Sequence, residues 1–327
     1  MRRRTFIATL GSAATWPLVA RTQQSGRMRR IGVLHGLEND EFYRAWLSAF
    51  TQRLQDLGWT DGRNIRIDYR FTAQNPEANR LAAQELVSLA PDVIFVTTNP
   101  AVAAVLRETH SIPIVFALVS DAVGSGFVAS LAHPGGNITG FHNFEPALAG
   151  KWLEIINEIA PGVRRVAFLH VPETAVHFAF LRVIESTAPS LGLIVTAAGV
   201  HDAGDIDAAI KAFAREPNSG LIVAPSPVTT IQRQLITTLA DRAALPTVYP
   251  FRYFLSNGGL VSYGIDQLEQ ARGGASYVDR ILRGTNPSEL PVQLPTKYEL
   301  AINLKSARKL GLKISDSFLS RADEVIE

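Results

Sequence analysis

A chain of 327 residues with 46% hydrophobic and 19% charged side chains has room for about two globular domains and is too apolar to stay disordered. It contains no cysteine, which excludes disulfides, thiolate metal sites, iron–sulfur clusters, cysteine nucleophiles and a cysteine-borne lipid anchor. The formal charge is +2, but without Arg2, Arg3, Arg4 and Arg21 it becomes −2, so no basic footprint for nucleic acid remains.

Those four arginines frame a segment with its own logic. A charged cluster at 2–4, an apolar stretch at 6–20 and a polar Gln23-Gln24-Ser25-Gly26 run form the three-part layout of an export signal. Arg3-Arg4-Thr5-Phe6-Ile7 resembles a twin-arginine leader. Residues 1–22 are therefore expected to be removed after Thr22, or alternatively after Ala20, leaving 23–29 as a flexible mature N-terminus. No later stretch reaches the roughly 18 apolar residues of a membrane span, so a soluble periplasmic protein is expected, beyond the reach of cytosolic NAD and ATP.

From Arg30 onward, short apolar runs alternate with amphipathic segments. The run at 31–34 predicts a buried strand; Phe42, Trp46, Ala49, Phe50, Leu54 and Leu57 then recur at helical spacing until Gly58 stops the helix. Further strands are expected at 65–71, 92–98 and 112–119, with helices at 77–89, from Pro100, and at about 125–131. A second series starts with a helix along Leu148, Trp152, Ile155, Ile156 and Ile159. Strands at 165–171, 193–200, 220–224, 245–249 and 259–263 follow, with helices centred near Leu181, Ile210 and Leu235. Such alternation predicts α/β architecture: two doubly wound, largely parallel sheets, each covered by helices. A helix at 267–282 and a Pro-punctuated run at 291–295 lead to a final strand and helices. The tail is expected to visit the first lobe and return, giving lobe 1 as 30–141 plus about 263–294, lobe 2 as 142–262 plus about 295–327, and a hinge of several strands.

Catalytic signatures are missing. Gly124-Ser125-Gly126-Phe127-Val128-Ala129 has the letters of a dinucleotide fingerprint but lacks the tight strand-to-helix turn and a later acidic strand end. There is no phosphate loop and no nucleophile elbow. His170 and His177, with Glu173 between them, are the best metal candidates, yet Pro172 breaks the helix that would align them. No metal and no cofactor are expected.

Polar residues instead gather where the strands end, and in open α/β sheets ligands bind beyond the carboxyl ends of strands. The first lobe offers His35, Thr97-Thr98-Asn99 and Ser120-Asp121. The second offers Glu173, Ser226 and the Phe251-Arg252 step. Thr97 and Thr98, ahead of a helix, suit a carboxylate through the free N–H groups and dipole of that terminus; the alternative is that they merely cap it. Tyr249, Phe251, Tyr253 and Tyr263 suit an apolar wall, or alternatively the core.

Several of these stretches are shared with a known group. Ile112-Pro113-Ile114-Val115-Phe116 leading to Ser120-Asp121-Ala122-Val123-Gly124, the run 130–140 with His133-Pro134-Gly135-Gly136-Asn137, Gly258-Gly259-Leu260-Val261-Ser262-Tyr263-Gly264 and Arg283-Gly284-Thr285-Asn286-Pro287 resemble substrate-binding proteins of ABC importers, of the TrpX-like family. The similarity spans the mature chain. It implies a type I periplasmic binding protein, a small-molecule ligand in the cleft between lobes, a membrane permease and a separate ATPase as partners, a monomer, and no catalysis. Amino-acid-binding members carry Thr-Asp-Asn where this chain has Pro225-Ser226-Pro227, and an Asp after the next strand where it has Pro250-Phe251-Arg252. The loss of acids argues against an ammonium ligand. Arg252 favours a small carboxylate, aromatic or branched. On this expectation Thr97, Thr98 and Ser120 bind first, and Glu173, Ser226, Arg252 and Tyr249 close over the ligand. The rival readings are a sensor feeding a membrane receptor, an exported enzyme using Asp121, His35 or Glu173, and a repressor of the same fold that lacks its DNA-binding segment.

Overall fold

The computed structural model describes residues 27–36, 41–73 and 75–327, the side chains of Glu41 and Phe42 excepted. The expected leader, residues 23–26 and the inward placing of Phe42 lie outside these residues.

The first lobe grows from β1 (Arg29–His35), whose last five residues are all buried. Helix α1 (Glu41–Asp56) and strand β2 (Ile65–Phe71) follow, then α2 (Pro76–Ser88), β3 (Val93–Thr97), α3 (Asn99–Glu108), β4 (Ile114–Val119) and β5 (Ile138–His142). These strands form a parallel sheet in the order β2-β1-β3-β4-β5. Such an order requires crossovers on both faces, helical except between β4 and β5, which is why apolar strands alternate with amphipathic helices. On one face Trp46 and Phe50 of α1 stack on Phe95 of β3, with ring centroids 5.3 and 4.6 Å apart. Burying a large apolar side chain of this kind contributes about 1.5–3 kcal/mol.

The second lobe is built by α4 (Leu148–Ile159), β6 (Arg165–His170), α5 (Ala175–Thr187), β7 (Ile194–Gly199), α6 (Ala203–Phe213), β8 (Ser219–Val223), α7 (Pro227–Ile231), α8 (Arg233–Arg242), β9 (Thr247–Tyr249) and β10 (Val261–Ile265). After α9 (Gln267–Leu282) come β11 (Tyr298–Asn303), α10 (Leu304–Lys309), α11 (Asp316–Leu319) and β12 (Glu324–Ile326). The sheet order is β12-β11-β10-β9-β8-β6-β7, with β11 antiparallel to β10. This architecture is the two-lobed, doubly wound α/β fold.

Helix α9 leaves the second sheet and packs on the first. Ala271, Ala275, Val278 and Ile281 join the core that contains Trp46, Phe50 and Phe95. Gly274 sits mid-helix because a Cβ there would run into the Phe95 ring. The chain passes between the sheets after β5, at Asp266 and again before β11. Asp266 caps α9 by accepting from the amides of Leu268 and Glu269, and it also pairs with Lys297 Nζ at 3.1 Å. Two crossings are thereby tied side by side.

Two local expectations differ from the structure. Residues 125–131 form turns and not a helix, because Asp121 (φ 48°) and Gly126 (φ 71°) take left-handed conformations and Asp121 Oδ1 accepts the Gly124 amide at 2.8 Å. The segment 138–142, unassigned from sequence, is the edge strand β5.

Candidate functional site

The carboxyl ends of β1, β3 and β4 face those of β6, β8 and β9 across a cleft of about 430 Å³. Its first-lobe wall includes His35, Thr98, Asn99, Leu118, Ser120 and Asp121, with Tyr43 from α1 and Gln267 from α9. Its second-lobe wall includes Phe144, Glu173, Ser226, Arg233, Phe251 and Tyr253.

The first wall is held by strained backbone and cross-loop bonds. Thr98 (φ 73°), Leu118 (φ 54°) and Asp121 (φ 48°) all have positive φ, a conformation that costs about 1–3 kcal/mol each for non-glycine residues and survives only where the surroundings impose it. At Leu118 the imposing group is Gln270 of α9: its Oε1 accepts the Leu118 amide at 2.9 Å and its Nε2 donates to His142 O at 2.9 Å. That side chain bridges the irregularity in β4–β5 pairing between Phe116 and Val119. Asn99 ties two rim loops, donating to Ser120 O at 2.7 Å and Ser125 Oγ at 3.1 Å while accepting from the Ser120 amide at 3.0 Å.

His35 Nε2, Thr98 Oγ1 and Asn143 Oδ1 are buried without a hydrogen-bond partner among the described residues, and all three residues line the cleft. Buried polar groups are nearly always satisfied, so these three atoms are able to hydrogen-bond a polar group that enters the cleft. Burial pushes the His35 imidazole down to about 3, leaving it neutral.

The second wall is more apolar. Phe144 lies 5.6 Å from Phe251, and Phe251 lies 5.3 Å from Tyr253, centroid to centroid. The Arg233 guanidinium lies 5.9 Å from the Tyr253 ring centroid and donates to Thr230 O at 3.0 Å. At the rim, Glu173 Oε1 meets His201 Nε2 at 2.9 Å, and His201 Nδ1 meets Asp205 Oδ2 at 3.0 Å. The two carboxylates hold the His201 imidazole above its ordinary range, and His201 holds both of them below theirs.

The structure brings His35, Thr98, Asn99, Ser120, Asp121, Glu173, Ser226 and Phe251 to the cleft and puts four other candidates elsewhere. Thr97 is buried behind the wall, with its hydroxyl 2.8 Å from His35 Nδ1. Tyr249 is 2% exposed and stacks on Phe254 at 5.0 Å in the second core. Tyr263 packs on Tyr298 of the antiparallel neighbour at 5.9 Å. Arg252 points to the flank of the lobe, 63% exposed, and is paired through both Nε and Nη2 with Glu324 of β12. The arginine that lines the cleft is Arg233, at the start of α8. Neither threonine caps α3 through its side chain: no capping bond forms there. Ser226, by contrast, caps α7 through the Thr229 amide at 3.0 Å.

Tyr43, Asn143, Phe144, Arg233 and Gln267 were not legible as cleft residues. Tyr43 carried the one usable signal, since it adjoins the buried stripe of α1. Of the histidine pair, His177 is structural: it accepts from the Val171 amide at 3.1 Å and its Nε2 lies 3.0 Å from Pro225 O, tying the ends of β6 and β8, while His170 stacks on Phe168 at 5.5 Å. No cluster of metal-ligating side chains occurs among the described residues, and no helix among them is long and apolar enough to cross a membrane.

Known proteins share this arrangement. The family model for ABC transporter substrate binding proteins matches residues 30–326. A tyrosine-binding protein of Clostridioides difficile is 23% identical over 295 residues, covering 88% of this chain and 83% of the relative. A conserved domain protein from Vibrio cholerae is 26% identical with a TM-score of 0.83, covering 91% of this chain and 100% of that structure. A domain from Streptococcus pneumoniae solved with L-Trp is 22% identical with a TM-score of 0.84, covering 92% and 100%. Members of this family bind small-molecule ligands and work with a transporter. The chain belongs to the ABC transporter substrate-binding proteins, as a type I member of the TrpX-like kind, and is a binding protein and not an enzyme.

Proposed function

We propose that this chain is the exported binding subunit of an ABC importer, capturing a small carboxylate with an aromatic or branched apolar body and presenting it to a permease driven by a separate ATPase. The observation that carries the ligand class is the pairing of an aromatic wall, formed by Phe144, Phe251 and Tyr253, with Arg233 and the orphaned polar atoms of His35 and Thr98 in the same cleft. Guanidinium and N–H donors suit a carboxylate, and the rings suit the body. The relatives named for tyrosine and solved with L-Trp support an aromatic-sized ligand. Closure of the two lobes about the tied crossings removes water and strengthens each polar contact.

A second ligand reading, an α-amino acid, has support from two acceptors in the cleft, the Asp121 carboxylate and Asn143 Oδ1. Arg252 no longer weighs against it, because that side chain is committed to Glu324.

The transport role is tested by uptake. Cells lacking the gene are expected to lose high-affinity uptake of the labelled carboxylate, and the tagged protein is expected in the periplasmic fraction. Unchanged uptake in the deletion strain would refute the importer role while leaving ligand binding intact.

A further inference from the structure

His35 sits in a closed hydrogen-bond arrangement with Thr97 and Gly36. The Thr97 hydroxyl has two described partners: it accepts from the Gly36 amide at 3.2 Å and lies 2.8 Å from His35 Nδ1. If Thr97 donates its proton to Nδ1, the imidazole carries its own proton on Nε2, and a single buried group, that N–H, is left without a partner. If Nδ1 instead carries the proton, two groups are orphaned, the Thr97 O–H and the Nε2 lone pair. Each buried orphan costs about 1–3 kcal/mol, so the first arrangement wins.

We infer that Thr97 is a positioning residue that locks His35 in its Nε2–H tautomer, and that the ligand atom meeting His35 on the first lobe is a hydrogen-bond acceptor, as a carboxylate oxygen is and an ammonium group is not. This deepens the carboxylate reading and rests on it for the identity of the ligand.

Three further observations support the assignment. The ring cannot turn freely, since Tyr43 packs at 3.9 Å and Trp46 at 5.4 Å between centroids. His35 is 1% exposed, and burial holds it neutral far below physiological pH, so it acts as a fixed dipole and not as a titrating cation. Thr98 Oγ1, on the adjacent strand end, is a second buried group without a described partner, and its hydroxyl can likewise donate to a carboxylate. The pair of strand ends thus sets which end of the ligand enters the first lobe.

The test uses the mature protein with isotopically labelled histidine and a long-range proton–nitrogen NMR spectrum, His35 being assigned through His35→Gln. The free protein is expected to show the Nε2–H pattern for His35, unchanged between about pH 5 and 8. An Nδ1–H pattern or an imidazolium overturns the tautomer assignment. Saturation with phenylacetate, isovalerate or L-tryptophan is expected to move the Nε2 resonance, and phenethylamine is expected not to bind. Binding of phenethylamine as tight as phenylacetate, or a carboxylate complex that leaves Nε2 unmoved, overturns the acceptor assignment. Thr97→Val is expected to mix the tautomers and weaken carboxylate binding about tenfold, with Thr97→Ser restoring both; a Thr97→Val protein that keeps the Nε2–H pattern removes Thr97 from its role. If no carboxylate binds, the ligand reading falls and takes the acceptor assignment with it, while the tautomer is still decided by the spectrum of the free protein.

Discussion

Gly36 and Thr98 are in contact at the floor of the cleft in a way that only glycine allows: a Cβ on Gly36 would overlap Thr98 Oγ1. The crowding arises because Thr98 takes a φ of 73°, which turns its hydroxyl across the end of β1. Gly36→Ala must push Thr98 out of place. It is expected to destabilise the protein by about 1–3 kcal/mol and to weaken ligand binding, as read by urea unfolding and calorimetry. A Gly36→Ala protein with wild-type affinity would detach Thr98 from the site.

Arg233 and Arg252 separate the cleft from the surface. Arg233→Ala is expected to weaken carboxylate binding by about 1.5–3 kcal/mol, the range for a charged hydrogen bond. Arg252→Ala breaks a surface pair with Glu324 and is expected to cost at most about 1 kcal/mol of stability, with affinity unchanged. Calorimetry on the two variants checks both; the reverse ranking would return Arg252 to the ligand.

The same pair shows what the sequence could and could not tell. Alternating apolar runs and amphipathic segments made the two α/β lobes readable, because the central strands β1, β3, β4, β6, β8 and β9 are buried on both faces while the helices are amphipathic. Strand ends were also readable as the ligand-facing edge. Which way a residue points just past an end was not. Strand β9 has three residues and runs into a 3-10 turn at Arg252–Asn257, so Phe251 faces the cleft and Arg252 the flank. Tyr249, within the strand, is core. The helix expected at about 125–131 is absent for a related reason: Asp121 and Gly126 take left-handed conformations, and the Asp121 side chain closes the turn on the Gly124 amide. Asn143 and Gln267 reach the cleft from the crossings between lobes, a placement set by tertiary structure alone.

Gln270 is expected to be worth more than its distance from the ligand suggests. Gln270→Leu strips the Leu118 amide and His142 carbonyl of their partner, and an unpaired buried group of this kind costs about 1–3 kcal/mol. Because Leu118 lines the cleft, affinity should fall together with the unfolding free energy. Loss of stability with unchanged affinity would make Gln270 a structural staple only.

The Glu173–His201–Asp205 cluster predicts a pH dependence of stability. The raised His201 value gives a contribution that is full below the ordinary 6.5 and fades as pH rises through the folded value. The lowered Glu173 and Asp205 values give contributions that are full above the ordinary 4.5 and 3.8 and fade as pH falls through the folded values. His170, held down by burial, also faces Glu173. Stability from this cluster should therefore be greatest between the carboxylate range and 6.5. Melting temperatures of wild type and His201→Ala, compared from about pH 4 to 8, should differ most inside that window. A constant difference across the whole range would contradict it.

A carboxylate-binding cleft with an apolar wall can be probed by a thermal-shift screen of the mature protein, since a ligand that binds the native state raises the unfolding midpoint by mass action. The panel is aromatic and branched carboxylates, their α-amino acids, the corresponding amines and small sugars. Stabilisation by carboxylates, with or without an amine, and none by amines or sugars is the predicted result. Stabilisation by sugars or amines alone would rule out a carboxylate site in the cleft.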